Sequence, residues 1–478
     1  MLLLYTPEPF MDIKSSPHRF DANRIDADMV RRFDINGPRY TSYPTADRFV
    51  EAFGAESHRR WLAQRNIGGI ETPLSVYVHV PFCENICYYC ACNKVITRDH
   101  SRARQYLDFL AREVALQTEP LQDRRISQLH WGGGTPTFLS EPEMRRLMAL
   151  LRQHFEFSSR GEYSIEIDPR TTNARSVALL AELGFNRMSL GVQDFDPAVQ
   201  QAVNRIQSEA QTMDVLQAAR ANGFRSVNMD LIYGLPRQNE ASFAVTLDRV
   251  LQARPERLAL YSYAHLPERF KPQRRIRVEE LPDADTRIAI FLLALRRLSE
   301  AGYVHVGMDH FALPEDELAG ALRSGTLHRN FQGYSTQRDC DLLGLGVSAI
   351  SKLGPSYSQS VRTLEEYYDC LAHDRLPIMR GIELTPDDLL RRAVIMALMC
   401  QGELSIESIE ISYLVDFKEY FKDELEQLAR HEADGLICMD RHWISVTPLG
   451  RLFVRGVCMV FDRYLRAGQR QANYSRVI

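Results

Sequence analysis

Four cysteines lie close together in one short segment, HVPFCENICYYCACNK, which holds Cys83, Cys87, Cys90 and Cys92. Structural zinc sites usually take four ligands as two C-x2–4-C pairs with a longer spacer between them. The spacing here is C-x3-C-x2-C-x-C, without a spacer. The segment therefore indicates metal or redox chemistry of another kind. The five remaining cysteines are scattered far downstream, where small buried side chains are expected: Cys340, Cys370, Cys400, Cys438 and Cys458.

Three of these thiols can converge on one centre if the loop is tight. In extended backbone, Cys92 points the same way as Cys90 but about 7 Å further along the chain, so its participation depends on the local turn. Three thiolates on a 4Fe–4S cluster leave one iron without a protein ligand, and such an open position can bind a substrate. Cys83, Cys87 and Cys90 are the predicted ligands, with zinc or an inert thiol cluster as alternatives.

The strand that leads into this loop alternates strictly. In LSVYVHV, three valines face one way, and Tyr77 and His79 face the other. Two polar aromatic side chains on one strand face, directly before the thiols, are expected to line a site. The alternative is a strand whose second face is exposed to solvent.

Further polar and glycine-rich positions follow later predicted strands. Gly132 begins the run GGGTP, in which glycines allow a close approach of backbone to a ligand. YSIEIDPR places Glu166 and Asp168 on one strand face, although a turn or helix cap is the favoured role of Asp168 before Pro169. Three residues lie near later strand ends, where barrel enzymes place their chemistry: Gln193, Asp230 and Ala264. Arg205 follows the fourth strand and suits a carboxylate partner, with a surface arginine as the alternative.

The composition is typical of a soluble globular protein. Of 478 residues, 45% are hydrophobic and 25% charged, and the net charge is −4. Residues 401–478 carry 10 Lys+Arg against 12 Asp+Glu, a net −2 (10 − 12), which argues against nucleic-acid binding. The opening MLLLYTPEPF lacks the basic n-region of a signal peptide, and no window resembles a membrane span. A cytoplasmic protein is expected.

Strand-like and helix-like segments alternate from residue 74 onward. This alternation predicts an α/β fold, a partial or full parallel β/α barrel, followed by a mainly helical, winged-helix-like unit. The expected divisions are an N-terminal arm and loop over 1–73, irregular to about residue 36, a barrel with extensions over 74–380 and the helical unit over 381–478. The expected strands are 74–80, 128–133, 163–168, 187–193, 226–234 and 257–266. The expected helices are 101–117, 141–154, 174–183, 208–221, 241–253, 284–301, 386–399 and 418–433.

The C-x3-C-x2-C loop after a first strand resembles that of the radical S-adenosylmethionine enzymes. The resemblance implies that S-adenosylmethionine chelates the open iron of the 4Fe–4S cluster and yields a 5′-deoxyadenosyl radical. It also implies that main-chain groups of the glycine run hold the amino group of the methionine moiety.

A closer resemblance spans about Gly37 to Ile478 and is to the oxygen-independent coproporphyrinogen III oxidase family (coproporphyrinogen dehydrogenase). It is carried by GPRYTSYPTA, YVHVPFC, CYYCACNK, QLHWGGGTPT, FNRMSLGVQDF, MDLIYGLP, GMDHFALPEDEL, LHRNFQGYSTQ, LLGLGVSAIS and the terminal YSRVI. It implies that two propionates of coproporphyrinogen III become vinyl groups, giving protoporphyrinogen IX in haem biosynthesis. It further implies two S-adenosylmethionine molecules, a reduced flavodoxin- or ferredoxin-type donor and a monomer.

The resemblance also implies residue roles. Tyr77, Gly133 and Glu166 match contacts to the S-adenosylmethionine on the cluster, and Cys92 matches a fourth cysteine that is not a ligand. Tyr77 and His79 are the candidate catalytic residues. Arg39 and Arg329 are candidates for holding substrate carboxylates. Contacts around the second molecule or a shared pocket are matched by Tyr89, Gly134, Thr135, Gln193, Arg205, Asp230, Ala264 and Ile350.

Three other interpretations stay open from the sequence. A related haem chaperone shares the barrel and the cysteine triad, although Cys92, the segment GPRYTSYPT and the tail YSRVI favour the oxidase. A structural iron–sulfur or zinc protein has no need of the glycine-rich and carboxylate motifs. A radical methyltransferase would also use two S-adenosylmethionine molecules.

Overall fold

A twelve-stranded mixed sheet forms the centre of the protein. The structure, a computed structural model, describes residues 25–66, 72–337 and 340–466 together with Tyr474 and Arg476. The sheet follows the order β16-β15-β14-β13-β1-β4-β5-β6-β7-β8-β10-β9. All described strands, including the minor sheets, are β1 Leu74–Val80, β2 Phe82–Cys83, β3 Val95–Ile96, β4 Arg125–Gly133, β5 Glu156–Ile167, β6 Arg187–Gln193, β7 Ser226–Tyr233, β8 Arg257–Ser262, β9 Val304–Gly307, β10 His310–Ala312, β11 His328–Asn330, β12 Gly333–Ser335, β13 Asp341–Leu345, β14 Ile350–Leu353, β15 Ser356–Ser360, β16 Ile378–Glu383, β17 Glu403–Ser405, β18 Ile437–Met439 and β19 Trp443–Val446.

The middle of the sheet is parallel and its two margins are antiparallel. Strands β13, β1, β4, β5, β6, β7 and β8 pair in parallel. Strands β14 to β16 on one side, and β10 with β9 on the other, pair antiparallel. Because β9 and β16 do not pair with each other over the described residues, the sheet is a partial barrel. The expected α/β fold is confirmed.

Helices connect the parallel strands. Buried runs such as Leu147, Leu151, Leu247 and Val250 face the sheet and join one continuous core. Over the described residues, none of these helices is long and apolar enough to cross a membrane. The α-helices are α1 Ala27–Phe33, α2 Ala55–Ala63, α3 Ser101–Thr118, α4 Glu141–His154, α5 Ala174–Glu182, α6 Pro197–Ala202, α7 Glu209–Ala221, α8 Glu240–Ala253, α9 Ala284–Glu300, α10 Glu317–Arg323, α11 Leu364–Ala372, α12 Pro386–Met396, α13 Ile406–Tyr413, α14 Phe417–Tyr420, α15 Lys422–Ala433, α16 Val454–Met459 and α17 Arg463–Arg466.

Several expected boundaries are wrong. The N-terminal arm is not irregular throughout, because α1 forms after Asp26, whose carboxylate accepts from the amide of Met29, and packs on α9. With only seven residues, one of them fully buried, α1 is too short to show a helical period. Residues 1–24 of that arm lie outside the described residues. Strand 257–266 ends at Ser262, and helix 418–433 is divided into α14 and α15.

The C-terminal unit has its own core. Strands β17, β19 and β18 form a small antiparallel sheet beside helices α12 to α17. Phe417, Phe421 and Phe461 are fully buried there, together with Tyr40 and Tyr43 of the N-terminal loop. The expected border at residue 381 falls within β16, so the main sheet continues to Glu383.

Candidate active site

The four clustered cysteines line one cavity of about 390 Å³, here called the thiol cavity. Their loop leaves β1 at Val80 and returns at β3, which pairs in parallel with β2. Lys94 closes the loop, because its Nζ donates to the carbonyl oxygens of Cys90 (3.0 Å) and Cys92 (3.3 Å). The loop is thus held at the carboxyl end of the first strand, where a parallel sheet places its chemistry.

The donor set suits a cluster better than a single metal ion. Over the described residues, no group of three or more His, Cys, Asp or Glu side chains is placed to hold one ion. Thiols that share a cavity without meeting at one point suit separate iron atoms. Arg170 Nη2 and Arg205 Nη1 lie 3.6 and 3.7 Å from the Cys87 sulfur, and place positive charge where a thiolate ligand needs it. A 4Fe–4S cluster fits this cavity.

Cys92 differs from the other three thiols. It is exposed, and it also lines a neighbouring cavity. Its hydrogen bond to Cys90 lowers the pKa of the Cys90 thiol, with help from Lys94, and the same bond raises the pKa of Cys92. Cys90 is therefore the stronger thiolate of the pair, as expected if Cys92 is not a ligand.

The glycine run holds the other side of the thiol cavity against the cysteine loop. The amide of Gly134 donates to the carbonyl oxygen of Val80 at 2.8 Å, and that of Thr135 donates to Phe82 at 2.9 Å. A Cβ atom on Gly134 would lie 2.8 Å from the Phe82 carbonyl oxygen, a rigid backbone atom. Only glycine permits this approach of two backbone segments.

Glu166 is fixed at the floor of the site by its neighbours on β4. Its carboxylate accepts from the amide of Gly133 at 3.1 Å and lies 3.3 Å from Nε2 of His130. Burial tends to raise the pKa of Glu166, but His130 and the Gly133 amide outweigh it and lower the pKa overall. The group is thus an anionic acceptor, suited to ribose hydroxyls or an ammonium group.

Asp168 and Arg205 form a buried ion pair beside the thiols. Their closest atoms, Arg205 Nη2 and Asp168 Oδ1, are 3.3 Å apart, and Arg205 also donates to the carbonyl oxygen of Gly191 at 2.6 Å. The Asp168 carboxylate accepts from the backbone amide of Arg170, which confirms the expected turn. It also binds the Arg170 side chain. Arginines lower the pKa of Asp168 although burial opposes them.

Asp230 is the acidic group of this site with the weakest tendency to ionise. It accepts hydrogen bonds from Ser189 Oγ at 2.8 Å and Asn228 Nδ2 at 2.7 Å. Burial raises its pKa to about 6, and the negative charge of Glu166 adds to the effect. Gln193, at the end of β6, adopts a left-handed φ of 67°. The backbone therefore turns out of the strand direction at this residue, which lines the thiol cavity.

A second cavity of about 420 Å³, here called the middle cavity, adjoins the first. The two share four lining residues: Cys92, Gly133, Glu166 and Tyr261. Tyr77 and His79 line the middle cavity. Nε2 of His79 faces the carbonyl oxygen of Asn93 at 2.9 Å and therefore carries hydrogen, so Nδ1 accepts from the Tyr77 hydroxyl at 3.1 Å. Burial lowers the pKa of His79 and keeps it neutral.

The residues that the resemblance assigns to the two molecules lie around two adjoining cavities. Tyr77, assigned to the molecule on the cluster, lines the middle cavity and not the thiol cavity, as does Ile350. Ala264 lines neither; its carbonyl oxygen accepts from Gln273, which also donates to Tyr89. The expected residues that line the thiol cavity are Cys83, Cys87, Tyr89, Cys90, Gly133, Gly134, Thr135, Glu166, Gln193, Arg205 and Asp230.

Several site residues were not expected from the sequence. The His130 ring stacks on Tyr77 with centroids 5.8 Å apart, and Tyr261 lines both cavities. His130 alternates with buried Leu129 and Trp131 on β4, so the same period that indicated Tyr77 also marks it. Arg39 and Arg329 both line the middle cavity, but Arg39 is already paired with Asp309 at 2.6 Å.

A third cavity of about 720 Å³, here called the outer cavity, lies between the C-terminal unit and the margin of the main sheet. It shares Thr41, Arg329 and Phe331 with the middle cavity. The three cavities are therefore contiguous from the thiols to the C-terminal unit.

Comparison with known proteins agrees with this architecture. Residues 77–250 match the model of the radical SAM superfamily, and residues 384–453 match that of the HemN C-terminal domain. A solved coproporphyrinogen III oxidase (HemN) from Escherichia coli, described as a radical SAM enzyme, superposes with a TM-score of 0.86 at 46% identity. The match covers 90% of this chain and 100% of that one.

Two curated relatives match over nearly their whole length. The oxygen-independent coproporphyrinogen III oxidase of Pseudomonas aeruginosa is 51% identical over 96% of this chain and 100% of that protein. The enzyme of the same name from Escherichia coli is 47% identical over 95% of this chain and 98% of that protein. The chain therefore belongs to the oxygen-independent coproporphyrinogen III oxidase family of radical S-adenosylmethionine enzymes.

Proposed function

We propose that this protein converts coproporphyrinogen III to protoporphyrinogen IX without oxygen, as the names of its relatives indicate for them. The observation that carries the proposal is the contiguity of the three cavities, which leads from three buried or half-buried thiols to a space large enough for a tetrapyrrole. Each of two propionate side chains loses one hydrogen atom, one electron and CO2 and becomes a vinyl group.

Cys83, Cys87 and Cys90 would hold a 4Fe–4S cluster in the thiol cavity. When bound, the cluster with S-adenosylmethionine supplies a 5′-deoxyadenosyl radical that can abstract hydrogen from an unactivated carbon. The chain itself orients the reagent: Gly134 and Thr135 present backbone, while Gln193, Asp230 and Arg205 present polar side chains to the same cavity.

A second S-adenosylmethionine would lie beside the first, where the thiol cavity and the middle cavity adjoin. Ile350, matched to the second molecule or a shared pocket, lines the middle cavity, as do Tyr77 and Glu166, which are matched to the molecule on the cluster. Burial raises the pKa of Tyr77 well above its usual range, so its hydroxyl remains a hydrogen-bond donor at neutral pH. Tyr77 and His79 are proposed to act at this position by fixing the reacting groups through a neutral donor–acceptor pair.

Hydrogen leaves the propionate carbon as an atom, so no side chain of the protein has to accept a proton from that carbon. A propionate C–H is too weakly acidic for any side-chain base, so the chain contributes position and exclusion of water. Arg329 is proposed to bind a substrate carboxylate, because it is 4% exposed and its Nη1 finds no hydrogen-bond partner among the described residues. The backbone of Arg39 helps to fix this side chain, because the carbonyl oxygen of Arg39 accepts a hydrogen bond from Arg329 Nε at 3.3 Å.

The remaining expectations are proposals of the same kind. A reduced flavodoxin- or ferredoxin-type protein would supply electrons to the cluster. The protein would act as a monomer in the cytoplasm, and it would bind no nucleic acid, in keeping with its net charge of −4.

The test is anaerobic turnover of the reconstituted protein with coproporphyrinogen III, S-adenosylmethionine and a reductant. Protoporphyrinogen IX, 5′-deoxyadenosine and two CO2 per substrate are expected. Tight haem binding without any decarboxylation would favour the haem chaperone instead. Methylation of the substrate in place of decarboxylation would favour a radical methyltransferase.

A further inference from the structure

The outer cavity is the largest of the three contiguous cavities. Its lining includes basic side chains, and some of their nitrogen atoms make no hydrogen bond over the described residues. One wall consists of β11 with Lys352 of β14 and Tyr357 of β15. The opposite wall consists of α12 and the turn that follows it. The cavity is open at the C-terminal sheet, where Trp443 is 45% exposed.

Two arginines in this cavity have buried nitrogen atoms that make no hydrogen bond within the part of the chain that the structure describes. Arg329 lies where the outer and middle cavities meet, and its Nη1 donates no hydrogen bond to any of the described residues. Its guanidinium lies 4.7 Å from the centroid of the Tyr334 ring, which fixes its plane. Arg392 of α12 also has a buried Nη1 that makes no hydrogen bond over the described residues. A buried donor left unsatisfied is costly, so both positions suit a ligand that accepts.

The charge of the cavity defines the ligand. Arg329, Arg392 and Lys352 contribute three cations to the lining, against one carboxylate, the exposed Glu403. The rest of the lining is mixed: it includes apolar side chains such as Phe331, Leu389 and Met396, and uncharged polar side chains such as Asn330 and Ser408. Three cations beside apolar and uncharged polar side chains suit a large, flat molecule that carries carboxylates at its edge.

The local backbone is also unusual at this wall. Helix α12 passes at Met396 into a π-helical turn over Ala397–Gln401. Ala397, Cys400 and Gln401 of that turn line the cavity. Such turns are rare and frequently mark functional sites, because the widened turn changes which side chains reach a pocket.

We propose that the outer cavity binds the body of the tetrapyrrole, and that Arg392 and Lys352 hold the carboxylates of propionates that are not reacting. This inference rests on the proposed function. The reacting side chain then enters the middle cavity past Thr41, Arg329 and Phe331, the three residues common to both cavities. Arg392 and Lys352 are thus specificity residues for the number and place of carboxylates, remote from the thiols.

The experiment measures equilibrium binding of two stable fluorescent probes to the cluster-loaded protein without S-adenosylmethionine. The probes are coproporphyrin III and its uncharged tetramethyl ester. The wild-type protein is expected to prefer the free acid. Arg392→Gln and Lys352→Gln should each reduce that preference about tenfold, the size of one charge-assisted hydrogen bond. Arg296→Gln, an exposed arginine on α9, is the matched control and should change nothing.

In turnover, the same two variants should raise KM for coproporphyrinogen III about tenfold, with iron content and kcat unchanged. If both variants keep the wild-type preference for the free acid, the inference is overturned while the proposed function stands. If the wild-type protein itself produces no protoporphyrinogen IX, the proposed function fails. The two outcomes are therefore distinct.

Discussion

Arg205 lies against Asp168 in a buried ion pair that also contacts the thiol of Cys87. The two guanidinium nitrogens of Arg205 are 3.3 and 3.4 Å from the two carboxylate oxygens, and one of them is 3.7 Å from the sulfur. Both residues are less than 10% exposed. The pair joins the end of β5 to the segment after α6, so two distant parts of the chain converge on one predicted cluster ligand.

Replacing Arg205 with Lys should reduce cleavage of S-adenosylmethionine more than it reduces binding of the cluster. Lysine keeps the charge but cannot bridge both carboxylate oxygens and the carbonyl of Gly191. We expect 5′-deoxyadenosine formation to fall by at least about tenfold, since a buried charge-assisted pair is lost. Iron content should stay near that of the wild type. Arg146→Lys, which changes an exposed pair with Asp108, is the control. Equal activity of Arg205→Lys and Arg146→Lys would contradict this role.

Of the four clustered cysteines, three should be required for the cluster and one should not. Cys83→Ala, Cys87→Ala and Cys90→Ala are each expected to abolish the cluster, because three thiolates are the minimum that the proposed site supplies. Cys92→Ala should retain it, since Cys92 is exposed and carries the raised pKa of the coupled pair. Iron and sulfide analysis with EPR of the reduced protein measures this. The control is Cys438→Ala, because Cys438 is exposed on β18. Equal iron loss in the Cys83, Cys87, Cys90 and Cys92 variants would contradict the ligand assignment.

The strands that position the site could be predicted well from the sequence because their signals are local. LSVYVHV and RMSLGVQ match β1 and β6 residue for residue, since period-two alternation ends at each loop. The extra length of β5 was missed: Glu156–Arg160 is largely exposed, so it lacks an apolar pattern. The division of α14 from α15 was missed as well, because Phe421 is buried within an otherwise continuous helical period.

The composition of the site was only partly predictable, because pairs distant in the chain decide it. Arg205 was expected to hold a ligand, but its partner Asp168 is 37 residues away and was interpreted as a turn residue. Nothing in the local pattern around Tyr77 shows which of two adjoining cavities its side chain enters. That choice depends on the stacking of its ring against His130, a contact between neighbouring strands.

Gly134→Ala should displace the backbone that faces the cluster loop. The added Cβ would meet the carbonyl groups of Pro81 and Phe82 at 2.8 Å, and neither can move without breaking the hydrogen bonds that join the two segments. We expect S-adenosylmethionine affinity, measured by calorimetry, to fall by about tenfold or more, the loss of one well-placed hydrogen bond to a charged group.

The matched control for this change is Gly54→Ala at the start of α2. No heavy atom of residues 25–66, 72–337 or 340–466 lies within 4 Å of a Cβ built on Gly54, and its φ of −106° suits any residue. Its cost in the free energy of unfolding should be about 1 kcal/mol, since alanine is a poorer helix N-cap than glycine, and the affinity for S-adenosylmethionine should stay at the wild-type value. Wild-type affinity in Gly134→Ala would show that the close approach is not needed for binding.

Glu113 should make the stability of the protein depend on pH. Its buried carboxylate on α3 accepts from the Tyr367 hydroxyl at 2.6 Å and from the amide of Gly346 at 2.7 Å, next to the carboxyl end of β13. Burial raises its pKa from 4.5 to about 7. Between these values the folded state binds more protons than the unfolded state, so stability falls as pH rises, by about 3 kcal/mol in all.

Glu113→Gln should therefore flatten the fall in the free energy of unfolding between pH 4.5 and 7, because glutamine has no proton to release in that range. Unfolding by urea, followed by tryptophan fluorescence at several pH values, measures the slope. The control is Glu426→Gln on α15, an exposed change of the same charge, which should keep the wild-type slope. If Glu113→Gln also keeps that slope, another buried group such as Asp230, with its pKa of about 6, must account for it.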